Sequence, residues 1–260
     1  MQDTEVKTVV LVLGLPRCGT TSIAAALQAD SLGIKSVLHA SETAKHPARC
    51  EDILVALRYQ DDDDIISRHS RICRATEGYA ACAESLNALA EDLMDLYPDA
   101  KLILNIRPPS IPGETEGISW ARSCKNTISF FTSPWVFNID YRRMYGGAKG
   151  YSRTNSPVFF EPKGSSWMTA GFYDKYVAWV KIQARKRNRS LLTWHPGMGW
   201  SPLCEFLEKE APPTGTPLPF LNECNTSKVD QNAYLKRGIM IQSMIILIFS
   251  TTLGILLFLA

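Results

Sequence analysis

Residues 14–27 read GLPRCGTTSIAAAL and follow an apolar run at 9–13. A strand that runs into a tight glycine-bounded loop and then a helix N-terminus forms a phosphate cradle. Loop N–H groups point at the anion, and the helix dipole favours negative charge there. The spacing from Gly14 to Gly19 is that of a Walker A loop, but Thr20 stands where that loop carries its lysine. Arg17 is the only cation between the two glycines. This single departure divides the function classes open to the chain.

A chain of 260 residues holds one α/β domain of good size with a small appendage. Its 28 Lys+Arg balance 26 Asp+Glu, so no global field argues for nucleic acid. The 7 cysteines (Cys18, Cys50, Cys73, Cys82, Cys124, Cys204 and Cys224) are odd in number and scattered, with no Cys-x-x-Cys pair. With no signal peptide pattern ahead of them, they read as reduced cytosolic thiols, not as a disulfide framework or zinc site.

Strands are expected over 8–13, 33–38, 78–83, 101–106 and 190–194. Helices are expected over 20–29, 86–97, 119–131 and 170–187, with a closing helix from 202 to 207. The polar stretch 41–70 is helix-compatible, and its acidic run at 61–64 is a solvated turn. Residues 110–117 read as loop, and the Tyr- and Arg-rich 137–166 as irregular, substrate-facing structure. Strands alternating with helices give an α/β fold with a doubly wound parallel sheet.

The C-terminus differs in kind. From 238 to 260 no residue is charged, and Lys236 and Arg237 stand at the edge of the stretch. At 1.5 Å per residue its length suits a hydrocarbon core of roughly 30 Å. The expectation is one C-terminal transmembrane helix at 238–260, a linker at 226–237 and a phosphate-loop domain at 1–225. Positive charge at its edge would keep the domain in the cytosol, on an internal membrane such as the endoplasmic reticulum.

A nucleoside triphosphatase needs the lysine after the second glycine and an acidic magnesium ligand at the end of a neighbouring strand. Here Thr20 replaces the first, and the strand expected over 101–106 (KLILNI) closes on Arg107. The loop therefore suits a phosphate group without metal-assisted phosphoryl transfer, and no metal site is expected.

GLPRCGTTS resembles the 5′-phosphosulfate loop of sulfotransferases that use 3′-phosphoadenosine 5′-phosphosulfate, and Arg107 resembles the arginine of their 3′-phosphate site. More narrowly, the chain is similar to the fungal-type sulfotransferase-like family, often mislabelled as epimerases. Four stretches carry the likeness: GLPRCGTTSIAAAL, YPDAKLILNIR, SWARSCKNTI and LLTWHPGMGWSPLCEFL. The resemblance implies a P-loop fold of the sulfotransferase type. It also implies that Arg17 bridges the sulfuryl group and the 5′-phosphate, and that Cys18, Gly19, Thr20, Thr21 and Ser22 cradle that phosphate. Arg107 and Ser123 would then hold the 3′-phosphate.

The chain departs from the family where Pro108-Pro109 and the insertion-like SIPGETEG separate Arg107 from Trp120. That stretch is either a surface loop or a displacement of Ser123. The resemblance also implies a base for the acceptor hydroxyl. Counting back from Tyr97-Pro98 places Glu84 there, and His39 is a second candidate. An exposed helix start for Glu84 and a packed structural role for His39 are the plain alternatives, and His195 is expected to be structural.

The expected activity is sulfuryl transfer to a hydroxyl of a small, lipophilic metabolite. Two alternatives stay open: another step on this fold, elimination or cyclisation in secondary-metabolite biosynthesis, and a non-enzymatic, membrane-anchored nucleotide-binding adaptor.

Overall fold

The computed structural model describes residues 6–43, 46–58, 64–84, 86–127, 168–219, 236, 239–240, 242–252 and 254. β1 (Val10–Val12) leads through the phosphate loop into α1 (Thr20–Gln28), then β2 (Val37–Leu38) and α2 (Ala40–Thr43). α3 (Pro47–Arg58) and α4 (Ile65–Thr76) form a hairpin before β3 (Ala81–Ala83). A 3₁₀ turn at Asn87–Leu89 and α5 (Ala90–Leu96) precede β4 (Lys101–Asn105) and α6 (Glu116–Thr127). α7 (Ala170–Lys186), β5 (Leu191–Trp194) and α8 (Ser201–Leu207) complete the domain.

All strand pairs are parallel, in the order β2-β3-β1-β4-β5. The strand sequences are apolar on both faces because helices cover both. Leu11, Leu13, Leu102 and Leu104 point into one core with α4, α5, α6 and α7. Val10, Val12 and Ile103 point into the other, with α1 and α8. This period of two places the chemistry not on the faces but at the strand ends.

The expected α/β order holds, and element ends differ for local reasons. α6 starts at Glu116, before the expected 119, because Thr115 Oγ1 accepts the Ile118 N–H at 3.2 Å and caps the first turn. Gly117 sits inside that turn since a Cβ there would lie 2.8 Å from the Ala170 carbonyl oxygen, where α6 meets α7. Asp64, the last of the acidic run, caps α4 by accepting the Ser67 N–H at 2.9 Å. The irregular segment expected at 137–166 lies outside the described residues, and so does most of the linker.

Among the described residues no helix is long and apolar enough to cross a membrane. The unbroken described run at 242–252 is helical, but at 1.5 Å per residue it spans only about 16 Å, half of a hydrocarbon core. The remainder of the expected span lies largely outside the described residues. Within the run, Ile246, Leu247, Ile248 and Phe249 are exposed.

The α3–α4 hairpin is pinned by Asp52, which accepts from Arg71 at 2.8 Å and Arg74 at 2.9 Å. Burial pushes the Asp52 carboxyl up, but the two guanidinium groups outweigh it and hold it below its usual range. A depressed carboxylate stabilises the fold above its unfolded-state pKa, and that contribution is lost as pH falls through the folded value. Asp52→Asn should therefore cost about 1 kcal/mol at neutral pH, since both arginines are partly solvent-screened. Urea unfolding across pH should show the gap to wild type full above pH about 4 and closing below it.

Candidate active site

β1 lies in the middle of the sheet, and the chain places β3 on one side of it and β4 on the other. The carboxyl ends of these strands bound the crevice where parallel sheets bind ligands. The loop after β1 is held there by side chains from both neighbours. Asn105, at the end of β4, accepts the Gly14 N–H at 2.7 Å and donates to the Cys18 carbonyl at 3.1 Å. Asn87, after β3, donates to the Gly14 carbonyl. Trp120 Nε1 of α6 donates to the Pro16 carbonyl at 2.7 Å, and Arg107 Nη1 to the Arg17 carbonyl at 2.8 Å.

The carbonyls of Gly14, Pro16, Arg17 and Cys18 are thus bonded to the protein. Arg17 and Gly19 take left-handed backbone (φ 70° and 78°) on either side of Cys18, the alternation that turns N–H groups toward one point. Gly19 is the N-cap of α1 and offers no capping side chain, the arrangement in which an anion takes that place. A Cβ on Gly19 would lie 2.7 Å from Pro196 Cγ, so the turn after β5 closes directly on the loop.

One side of the mouth is cationic. Arg17 Nε donates to Ser123 Oγ at 3.4 Å, and Arg107 bonds the loop beneath Arg17. Arg17, Arg107 and Ser123 therefore come together, and residues 110–113 form an exposed surface loop that leaves Ser123 in place. Glu114 pins that loop by accepting from Arg122. Burial lowers the Arg107 pKa, as does the nearby Arg17 charge, opposed by the neighbouring thiols. Arg107 Nε is buried without a hydrogen-bond partner among the described residues.

The other side is acid–base. Glu84 follows β3 and His39 follows β2, and β2 pairs with β3. The Thr20 hydroxyl donates to Glu84 Oε2, with His39 Nε2 3.3 Å from the same oxygen and 3.4 Å from Thr20 Oγ1. Burial alone would raise the Glu84 carboxyl; hydrogen bonds from His39 and Thr20 and the Arg17 charge outweigh it and hold the group below its usual value. Glu84 is thus not on an exposed helix start but in a buried cluster with φ 70°, left-handed backbone rare for such a residue.

A family model describing a sulfotransferase domain matches residues 9–227. The chain belongs to this sulfotransferase family. It is also 26% identical over 258 residues to Ava biosynthesis cluster protein M of Aspergillus versicolor, covering 88% of this chain and 86% of the relative.

Within this sulfotransferase domain the remaining residues read from sequence divide in two. Cys18 contributes backbone: its thiol is buried, and burial foremost pushes its pKa well up, so it is not a nucleophile. Thr20 commits its hydroxyl to Glu84. His195 lies after β5 with its Nδ1 buried and without a hydrogen-bond partner among the described residues. The ties from Asn87, Asn105, Trp120 and Tyr176 were not foreseen. Tyr176 OH lies 2.7 Å from the Leu13 carbonyl and 3.1 Å from that of Asn87. The available signal was Asn105 itself, an amide in an otherwise apolar strand.

Gly14 meets Asn105 so closely that a Cβ would lie 2.1 Å from its carbonyl and amide oxygens. Gly14→Ala should destabilise the domain by about 3 kcal/mol, read by urea unfolding, because the crowding atoms include backbone. Trp120→Phe should cost about 1 kcal/mol by the same measurement, the loss of one buried hydrogen bond to the loop.

Proposed function

We propose that this sulfotransferase moves a sulfuryl group from 3′-phosphoadenosine 5′-phosphosulfate to the hydroxyl of a small, lipophilic acceptor. The observation that carries the reading is Arg107: a half-buried guanidinium beside the phosphate loop, its buried Nε–H unpaired among the described residues, next to Arg17 and Ser123. A buried unpaired donor is costly, and a bound phosphate relieves it. A nucleotide with phosphate at both ends of its ribose suits this pair of cationic positions. The loop amides with Thr21 and Ser22 would hold the 5′-phosphate, Arg17 the bridge to sulfur, and Arg107 with Ser123 the 3′-phosphate. The nucleotide supplies the activated sulfuryl group; the chain supplies orientation, charge and a base.

A nucleoside triphosphate is less well served, because Thr20 stands in place of the lysine and β4 ends in Asn105 with Arg107 beyond it. A second reading, another biosynthetic step on an anionic intermediate, is favoured by Glu84, an acidic group held inside the cradle by Thr20. It also fits the printed name of the Aspergillus relative. Product mass separates the two: a gained sulfonate supports transfer, and turnover without it supports the second reading.

Isothermal titration of the full chain in mild detergent with 3′-phosphoadenosine 5′-phosphate tests the site. Arg17→Ala and Arg107→Ala should each weaken binding by about tenfold to a hundredfold, the worth of a charge-assisted hydrogen bond. Arg107→Ala should also erase the preference over adenosine 5′-phosphate. No binding by wild type, or indifference to Arg17→Ala, overturns the reading.

We also infer that residues 238–260 contact a bilayer. The stretch carries no charge. Its Thr251 hydroxyl bonds the Leu247 carbonyl at 2.9 Å and that of Thr252 the Ile248 carbonyl at 2.8 Å, so both hydroxyls are satisfied within the helix. The full chain should float with neutral phosphatidylcholine vesicles and a chain ending at 237 should not.

A further inference from the structure

We propose that Tyr173 and Glu116 are positioning residues that brace Arg107, and so set how well the site tells a nucleotide bisphosphate from one phosphorylated at 5′ alone. The inference rests on the assignment of Arg107 to the 3′-phosphate and adds the two residues that hold it.

Arg107 stands where the hydrogen bonding of the sheet ends. The Ile106 N–H still bonds a neighbouring strand, donating to the Trp194 carbonyl at 2.8 Å. Pro108 and Pro109 follow Arg107 and have no N–H with which to anchor the chain. The Arg107 N–H is therefore the last backbone donor before the surface loop, and it goes to Tyr173 OH at 3.0 Å. At the far end of the side chain, Nη1 donates to the Arg17 carbonyl. Nε lies between these two ties, buried and unpartnered among the described residues.

Hydrogen-bond direction gives Glu116 its part. A phenol carries one proton, and an amide N–H only donates, so Tyr173 OH accepts from Arg107 and keeps its own proton for another acceptor. Glu116 Oε2 lies 3.3 Å away and receives it. That bond fixes the rotation of the hydroxyl and holds a lone pair on the Arg107 N–H. Burial foremost pushes the Tyr173 phenol pKa up, so the proton stays in place at neutral pH.

Packing stiffens the brace. Tyr173 is 1% exposed, and its ring centroid lies 5.4 Å from that of Trp120, which holds the Pro16 carbonyl. Gly117 lets the first turns of α6 and α7 close together, since a Cβ there would meet the Ala170 carbonyl oxygen at 2.8 Å. Glu116 stands beside that contact and so reaches Tyr173. It is also the point at which the insertion-like stretch after Arg107 rejoins the fold. The detour that separates Arg107 from α6 thus returns a carboxylate that steadies it.

The test uses the full chain in mild detergent, with calorimetry of 3′-phosphoadenosine 5′-phosphate and of adenosine 5′-phosphate. Tyr173→Phe keeps the ring and removes the oxygen. It should weaken the bisphosphate by about fivefold to thirtyfold, the worth of one hydrogen bond, and leave adenosine 5′-phosphate within about twofold. Glu116→Ala should weaken the bisphosphate by about threefold to tenfold. Coulomb attraction alone predicts the opposite sign, because loss of a negative charge near the site favours an anion. Glu116→Gln, which loses the charge but keeps a carbonyl acceptor, should recover most of that loss. A second readout needs no nucleotide: hydrogen exchange at the Arg107 amide, which the two prolines isolate, should be about tenfold faster in Tyr173→Phe. Equal weakening of both nucleotides, tighter binding in Glu116→Ala, or unchanged exchange in Tyr173→Phe overturns the brace. The Glu116 pair decides the matter if Tyr173→Phe does not fold. A wild type that does not prefer the bisphosphate overturns the 3′-phosphate assignment and the selectivity role with it. Exchange at Arg107 tells that failure from a failure of the brace.

Discussion

The amide of Asn105 joins the sheet to the loop, and the site's geometry depends on that joint. Its oxygen holds the Gly14 N–H and its nitrogen the Cys18 carbonyl, so one side chain fixes both ends of the turn after β1. Asparagine alone among small side chains offers a donor and an acceptor in one planar fork. At 1% exposure it has no water to fall back on, so each bond it makes is one the fold must keep. Because Asn105 belongs to β4, the loop on β1 is tied to the strand that leads into Arg107. Asn87 adds the same constraint from the β3 side.

Across this frame the charges divide. Arg17 and Arg107 stand on the side of α6, and Glu84 with His39 on the side of β2 and β3. Burying charge is unfavourable unless each group is paired or awaits a partner. The acidic side is paired internally, through Thr20 and His39. The cationic side is not: Arg107 reaches only a carbonyl, and its Nε reaches nothing among the described residues. The asymmetry indicates which side expects an anion from outside. Burial raises the Glu84 carboxyl, and hydrogen bonds from His39 and Thr20 together with the Arg17 charge outweigh it and hold it below its usual value.

Much of this was legible before any coordinates. The alternation of apolar runs with helical stretches gave the sheet, because strands buried on both faces need unbroken apolar sequence and the chain has it at 9–13 and 102–104. The loop was legible because Gly14 and Gly19 sit where only glycine fits, one for space and one for backbone angle. What escaped was pairing across sequence distance. Nothing local marks Trp120 Nε1 as the partner of Pro16, or Tyr176 OH as a neighbour of the Leu13 carbonyl; these are facts about how α6 and α7 cross the sheet. The hydrogen bonds that bring Thr20, His39 and Glu84 together were equally invisible.

The insertion between Arg107 and α6 shows how the site tolerates an unusual sequence. Pro108 and Pro109 have no N–H to give and disfavour helix, so the chain leaves β4 extended and the next helix waits until Thr115 can cap it. Such a detour would ordinarily loosen the residue before it. Arg107 stays fixed because both of its anchors lie outside the detour. Its N–H donates to Tyr173 OH at 3.0 Å on α7, and its guanidinium grips the loop carbonyl of Arg17. Ser123 is likewise placed by the packing of α6, through the buried Trp120 and Cys124 on either side of it. The extra residues therefore extend outward from two fixed points, and the cationic side of the mouth keeps its shape.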